Sequence, residues 1–290
     1  MIYRLFTTPT GSGSNDRLQK LTEEVLALEE ENWQLKETIK ALKAQNELPP
    51  EDNPGLPSDD QNREVWSWYF KPNPSHTPPG TDDRFLKHLQ GKGYYLGNPQ
   101  RKKIYLTFDE GYENGHTKQI LDILKNNNVT AAFFVTGDYV RRNPALVQRM
   151  VAEGHIVGNH TATHPSLPTL SNEEIKEEIM AVHRAVEDLT GYQMSFLRPP
   201  RGEFNSRTLE VAKSLGYDTV FWSMAYQDWD VNRQPGKEAA YRYVANNIHN
   251  GAVILLHAVS KSNTEALDDI IHKLKSQGYV FASLEEIRDD

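Results

Sequence analysis

His160-Thr161-Ala162-Thr163-His164 sets two imidazoles four residues apart, a spacing that lets both face one metal ion from a single helical turn or a compact loop. Upstream, Thr107-Phe108-Asp109-Glu110-Gly111 ends a short apolar run with two adjacent carboxyls. The two segments together offer nitrogen and oxygen ligands for a divalent ion, zinc or a similar metal, and a spare carboxylate to act on water. That is the donor set of metal-assisted hydrolysis. Three further polar positions follow apolar runs in the same way. Arg198 ends Phe196-Leu197, Asp228-Trp229 lies a few residues beyond Val220-Phe221-Trp222, and His257 follows Val253-Ile254-Leu255-Leu256.

Such groups act together only if the chain brings them to one place. From Lys102 onward, apolar runs alternate with stretches of helical spacing. Strands are expected at Ile104 to Phe108, Ala131 to Val135, Ile156 to Gly158, Phe196 to Arg198, Thr219 to Trp222, Val253 to Leu256 and Val280 to Ala282. Helices are expected at His116 to Asn127, Asn143 to Glu153, Ser171 to Leu189, and near Ser206 to Leu215, Lys237 to Asn247 and Asn263 to Ser276. Ser171 and Glu174 are placed as a capping box. This alternation implies an α/β fold, a distorted (β/α) barrel of about seven parallel strands. The candidate groups then fall at strand C-termini, which converge on one mouth of such a barrel. Polar residues also end strands simply because strands end at the surface, but that explains one or two of them, not the set.

The region before residue 63 reads differently. Residues 1–14 form a tag-like start with Gly11-Ser12-Gly13-Ser14 as a flexible joint. In residues 15–46, Leu18, Leu21, Val25, Leu28, Asn32, Leu35, Ile39 and Leu42 recur at alternating steps of three and four. Val25 and Ile39 at a, leucine at d and Asn32 at one a position favour a parallel two-stranded coiled coil, hence a homodimer. An amphipathic helix lying on the domain is the alternative. Residues 47–62, with four prolines, read as a linker. The folded domain is expected over 63–290. Trp66-Ser67-Trp68-Tyr69-Phe70 is too apolar for a linker and is expected to pack on that domain, with sugar stacking as the other reading.

Composition narrows the function. A formal net charge of -8 argues against a general nucleic-acid binder, which needs lysine and arginine in excess. There are no cysteines, which removes disulfides, thiolate metal sites and a cysteine nucleophile. No apolar run approaches the ~20 residues of a membrane-spanning helix. Met1 to Thr10 is too short and polar for a complete export signal.

From about Arg63 to Ile287 the chain resembles polysaccharide deacetylases of the NodB-homology type, carbohydrate esterase family four. The five motifs of that family occur in order: Thr107-Phe108-Asp109-Glu110-Gly111, His160-Thr161-Ala162-Thr163-His164, Arg198-Pro199-Pro200-Arg201-Gly202, Asp228-Trp229 and Leu255-Leu256-His257. Tyr112-Glu113-Asn114-Gly115, Phe221-Trp222-Ser223 and Asn263-Thr264-Glu265-Ala266-Leu267-Asp268-Asp269 are similar to the delta-lactam-biosynthetic de-N-acetylases of spore-forming bacteria.

The resemblance implies metal-dependent removal of the N-acetyl group from an amino sugar of a cell-wall polysaccharide, with N-acetylmuramic acid of peptidoglycan as the expected substrate and an extracytoplasmic place of action. It implies that Asp109 is the general base, His257 the general acid, and His160 and His164 the metal ligands. Arg198 would keep Asp109 ionised, Asp228 would orient Arg198 or its surroundings, and Trp229 would wall the pocket. The backbone N–H of Arg201 would serve an oxyanion hole. Two departures stand out. Glu110 occupies the position of the third metal ligand, where the broad family carries Asp and the subgroup Asn. Arg201 replaces a usual aromatic residue, and its guanidinium suits the lactyl carboxylate that distinguishes muramoyl from glucosaminyl units. An Arg that pairs within its own loop is the competing reading. Three other functions stay open: a deacetylase of chitin-like N-acetylglucosamine polymers, a coiled-coil-dimerised carbohydrate-binding protein with a decayed site, and a coil that recruits the enzyme to a cell-wall complex.

Overall fold

Alternation along the longest apolar run explains the architecture. In Ile104 to Phe108, the side chains of Ile104, Leu106 and Phe108 join one buried cluster and Tyr105 joins another, as strand geometry requires. A strand apolar on both faces must be covered on both, which is the condition of a parallel sheet wrapped by helices. The computed structural model describes residues 63–72 and 75–290. The expected tag-like start, coiled coil and linker lie outside the described residues.

In chain order the elements are β1 (Trp66–Ser67), α1 (Asp83–Leu89), β2 (Gly93–Tyr94), β3 (Lys103–Glu110), α2 (Thr117–Asn126), β4 (Ala132–Val135), α3 (Gly137–Arg142), α4 (Pro144–Ala152), β5 (Ile156–Asn159), α5 (Asn172–Thr190), β6 (Phe196–Leu197), β7 (Glu203–Phe204), α6 (Ser206–Ser214), β8 (Asp218–Val220), α7 (Lys237–Asn247), β9 (Val253–His257), α8 (Lys261–Ser276) and β10 (Val280–Phe281). The main sheet runs β10-β3-β4-β5-β6-β8-β2, with β9 on β3, and every pair in it is parallel. Just past β8, Met224 bridges Ile254 in parallel and accepts the Leu255 N–H at 2.9 Å. The strands therefore curl from β9 through β3 to β8 and back to β9. The expected distorted barrel is present as this curled parallel sheet, paired most thinly between β5 and β6, which share only the Asn159–Leu197 register.

The long helix α5 begins where the sequence places it. Ser171 accepts the Glu174 N–H and Glu174 returns the bond to the Ser171 N–H, so the capping box closes in both directions. Its buried face, Ile175, Ile179, Val182 and Val186, packs in the outer cluster, each such side chain contributing about 1.5–3 kcal/mol by leaving water. Inside the barrel, β5 carries Gly158 because any Cβ there would lie 2.5 Å from the Phe134 ring.

Five elements were not anticipated. α3 precedes the expected Asn143 to Glu153 helix, started by Thr136, whose hydroxyl accepts the Tyr139 N–H. α1, β2 and the antiparallel pair of β1 with β7 come from short segments with too few residues to show a period. The last pair bears out the packing of Trp66 to Phe70: Trp68 is 5% exposed and joins Phe85, Phe204 and Phe221 in a third cluster.

Candidate active site

β3 delivers Asp109 to the barrel interior. It pairs with β4 through Phe134 on one side and with β9 through His257 on the other. These ends, with the loops after β5, β6 and β8, surround a cavity of about 610 Å³ lined by Asp109, His160, His164, Arg201, Trp229 and His257. Arg198 and Asp228 stand behind it, both fully buried, each gripping a residue that lines it.

Asp109 Oδ1 accepts from Arg198 Nη1 at 2.8 Å, and its Oδ2 lies 3.6 Å from His160 Nε2. Burial would push the Asp109 carboxyl up. The charge of Arg198, helped by the neighbouring imidazoles and the Arg198 hydrogen bond, outweighs burial and holds it below the ordinary carboxylate range. Arg198 is itself fixed by a 3.2 Å bond from Nε to the Val220 carbonyl and by the Phe134 ring, 4.1 Å from its guanidinium carbon.

The two histidines of the HTATH segment sit in a compact loop, not on a helical turn. Thr161 and His164 adopt φ of 68° and 61°, in the left-handed region. Asn159 and Thr161 side chains accept backbone N–H groups two and three residues on and hold the turn closed. The rings of His160 and His164 are 4.9 Å apart at 74°. His160 Nδ1 lies 2.8 Å from the Arg198 carbonyl oxygen, which only accepts. Nδ1 therefore carries the proton and Nε2 keeps its lone pair toward Asp109 and the cavity. Burial lowers both imidazoles, His164 to about 4, so both are neutral near pH 7 and free to ligate.

His257, the last residue of β9, has the opposite bias. Its Nδ1 donates to Asp228 Oδ1 at 2.7 Å and its backbone N–H to Asp228 Oδ2 at 2.8 Å. Burial would lower the ring, but the hydrogen bond and charge of Asp228 outweigh it and raise His257 above an ordinary histidine. The expected partnership of Asp228 is thereby corrected: it grips His257, while Arg198 bonds to Asp109 and Val220. With Nδ1 held, Nε2 is the atom left for the cavity.

Arg201 occupies the rim with φ 56° and ψ 9°. Its side chain is 49% exposed and pairs with Glu203 at 3.1 Å. The next residue, Gly202, has φ 66°, and a Cβ there would lie 2.8 Å from the Trp222 ring. Trp68 braces this loop from behind, donating its backbone N–H to the Gly202 carbonyl and its ring N–H to the Trp222 carbonyl, both at 2.9 Å. Trp229 is 53% exposed at the mouth.

Glu110 is not brought to this group. It lies on the other face of β3, fully buried, where Thr117 Oγ1 approaches both its oxygens at 3.3 and 3.4 Å. It does not line the cavity. Burial, then the charge of Glu113, pushes it well above an ordinary glutamate. Among the described residues no group of three or more His, Asp or Glu side chains is arranged to hold a metal ion. The side chains at the cavity that could offer nitrogen donors to a divalent ion are the two neutral imidazoles of His160 and His164.

Sequence reasoning missed Tyr226 and Asn263. Asn263 donates Nδ2 to Asp228 and accepts the Tyr226 hydroxyl on Oδ1. Asn263 stood in a segment similar to the delta-lactam subgroup and in a helix first turn, but neither signal gave its side chain a role.

Residues 96–220 match the polysaccharide deacetylase family model. The chain is 47% identical over 223 residues to the peptidoglycan-N-acetylmuramic acid deacetylase PdaA of Bacillus subtilis, covering 76% of this chain and 85% of that one. The solved structure of PdaA, described as a family 4 carbohydrate esterase, superposes with a TM-score of 0.76 at 46% identity, covering 78% of this chain and 98% of that one. A 30.6 kDa protein of Geobacillus stearothermophilus is 51% identical over 222 residues, covering 76% and 84%. The peptidoglycan-N-acetylglucosamine deacetylase PgdA of Listeria monocytogenes is 40% identical over 186 residues, covering 64% of this chain and 39% of that one.

Proposed function

We propose, on the premise that the chain belongs to the polysaccharide deacetylase family, carbohydrate esterase family 4, that it hydrolyses the N-acetyl group of N-acetylmuramic acid in peptidoglycan and releases acetate. One observation carries the reading. Asp109 and His257 are register partners on neighbouring strands, both reach one cavity, and their surroundings drive them apart. Arg198 holds Asp109 low and ionised, and Asp228 raises His257 toward its protonated form. Two titratable groups separated in this way are a base and an acid for one reaction.

Asp109 takes a proton from the attacking water through Oδ2, while Arg198 occupies Oδ1 and keeps the carboxylate charged. His257 gives the proton on Nε2 to the departing amine, and Asp228 stabilises the resulting tautomer. His160 and His164 would hold a divalent metal ion, which supplies a polarised acetyl carbonyl and an activated water when bound. Trp229 would supply an apolar wall at the mouth, and the backbone N–H of Arg201, which also lines the cavity, would serve as the oxyanion donor. The action is placed on the cell-wall side of the membrane, where the polymer is.

Preference for muramoyl units rests on Arg201. Its guanidinium stands at the rim, half exposed, with N–H groups beyond those used by Glu203. A lactyl carboxylate can accept two of them. Turnover of an N-acetylglucosamine polymer is the second reading, favoured by the likeness to the Listeria enzyme. A decayed carbohydrate-binding site fits poorly with an intact Asp109–Arg198 and His257–Asp228 arrangement.

The test is acetate release from glycan strands with denuded muramic acid, beside chitin oligomers, with metal stripped and then restored. Metal-dependent release from the muramoyl strands supports the proposal. Release from chitin oligomers alone reassigns the substrate, and release from neither overturns the enzymatic reading. Arg201→Tyr is expected to impair muramoyl turnover more than chitin turnover, and equal losses remove Arg201 from the account.

A further inference from the structure

Asp228 is a carboxylate with no exposure, and its oxygens accept three protein donors. Two come from His257. The third is Asn263 Nδ2, which bonds to Oδ2 and lies 3.4 Å from the His257 carbonyl. Asn263 is 1% exposed and belongs to the first turn of α8, where its backbone N–H is satisfied by Ser260 Oγ at 3.2 Å. Capping the helix therefore does not require its side chain, which turns instead toward the Asp228–His257 pair.

An asparagine amide presents a donor end and an acceptor end of nearly the same shape. Here its direction is fixed from both sides. The Asp228 carboxylate only accepts, so Nδ2 must face it. Oδ1 then faces Tyr226, whose hydroxyl must donate. Tyr226 is a wall of the cavity, and its ring packs on Tyr243 at 4.8 Å. The Tyr243 hydroxyl holds the Ala225 carbonyl at 2.6 Å. The loop carrying Asp228 is clamped in parallel: Gln234 Nε2 donates to the Asp228 carbonyl at 2.8 Å, and Gln234 Oε1 accepts from Ser260 and from the Ser262 backbone.

We propose that Tyr226 and Asn263 are positioning residues for the acid of the reaction, a role that rests on the reading of His257 given above. Asp228 holds the side chain of His257 with one oxygen and its backbone with the other, which works only in one rotation of the carboxylate. Asn263 fixes that rotation. The His257 ring then keeps its proton on Nδ1 toward Asp228 and presents Nε2 to the cavity. Tyr226 fixes the amide, so a wall of the cavity also sets, through Asn263 and Asp228, the orientation of the acid. A carboxylate–histidine pair loses most of its effect when the ring takes the wrong tautomer.

The test uses the full chain with Asn263→Leu, Tyr226→Phe, His257→Gln and, as a control for destabilisation in the same helix, Ile271→Val, which trims a buried residue far from the pair. With denuded muramoyl strands as substrate, Asn263→Leu is expected to lower kcat roughly 10–100-fold and Tyr226→Phe by less, with KM within roughly twofold, the scale of second-layer partners of a functional histidine. Added to His257→Gln, Asn263→Leu should cost nothing further, because it acts through His257. In protein with ¹⁵N-labelled histidine, the downfield Nδ1–H signal of His257 should shift or broaden in both single variants and stay in place in Ile271→Val. Losses matched by Ile271→Val, or an unmoved Nδ1–H signal in both variants, overturn the proposal. A fully active His257→Gln refutes the acid reading instead, and the spectrum still decides whether Tyr226 and Asn263 orient the ring.

Discussion

Asp109 and Glu110 are consecutive, both carboxylic, both buried at the end of the same strand, and opposite in state. The inner face of β3 gives Asp109 a guanidinium at 2.8 Å and an imidazole nitrogen at 3.6 Å. The outer face gives Glu110 a threonine hydroxyl and a second carboxylate nearby. Burial raises both. Only Asp109 has a cation to reverse it, so Asp109 stays charged and Glu110 is driven toward the neutral acid. What separates a base from a structural carboxyl here is one step along a strand. That step moves a side chain from the barrel cavity to the layer beneath the helices.

The largest test of this contrast is removal of each carboxylate in turn. Asp109→Asn keeps the shape and loses the base, and acetate release is expected to fall by about 10²–10⁴ in kcat. Glu110→Gln is expected to stay within roughly threefold of the parent in kcat and KM. It should also leave metal binding unchanged by calorimetry. A Glu110→Gln variant that loses metal or activity would show that Glu110 swings into the cavity, and the two faces would no longer be functionally distinct.

A smaller effect sharpens the same contrast through pH. The base must be ionised, so rate falls as pH drops through the Asp109 pKa. The acid must be protonated, so rate falls as pH rises through the His257 pKa. The profile of kcat/KM is expected to be bell-shaped. Arg198→Met leaves Asp109 buried without its cation, as Glu110 is, and the acidic limb should move to higher pH. Asp228→Asn removes what raises His257, and the basic limb should move to lower pH. Limbs that move the other way, or not at all, would mean that Asp109 and His257 are not the groups being read.

Much of this site was legible because polar residues that end apolar runs must lie at strand ends, and parallel strands gather their C-termini. Asp109, His160, Arg198 and His257 were placed that way, and they meet. Glu110 was expected at the metal only through the resemblance, from its place in the motif, and here it lies on the other face of β3 beside Thr117, because a strand sends neighbours to opposite faces. The tie of Tyr226 and Asn263 to Asp228 was invisible because it joins a loop after β8 to the first turn of α8, and no local period records it. The same holds for Trp68 and its bonds to the Arg201 loop, which depend on a pairing of β1 with β7 across the whole chain. The coiled coil expected from the heptad spacing lies outside the described residues.

The smallest expected effect is on stability, and its sign differs between the two carboxyls. Glu110 has a folded pKa raised above its ordinary 4.5. Below that value both folded and unfolded chains hold the proton, and the group costs nothing. As pH rises toward the folded pKa, the unfolded chain releases the proton and the folded chain keeps it, so stability contributed by Glu110 is lost. Glu110→Gln has no proton to lose and still accepts from Thr117. It should match the parent in thermal unfolding at pH 4 and exceed it at pH 8, by a Tm difference of about 2–4 °C for each kcal/mol recovered. Asp109→Asn should behave differently, because the folded Asp109 pKa lies below its ordinary 3.8. The stability contributed by the ionised carboxylate beside Arg198 is present above the ordinary value and is lost only as pH falls below it. Asp109→Asn should therefore melt below the parent by a nearly constant margin from pH 4 to 8, since loss of the carboxylate leaves the buried cation short of a partner, while the Glu110→Gln gain grows with pH. A Glu110→Gln gain that does not grow with pH, or an Asp109→Asn variant as stable as the parent, would mean that the two faces of β3 hold their carboxyls alike.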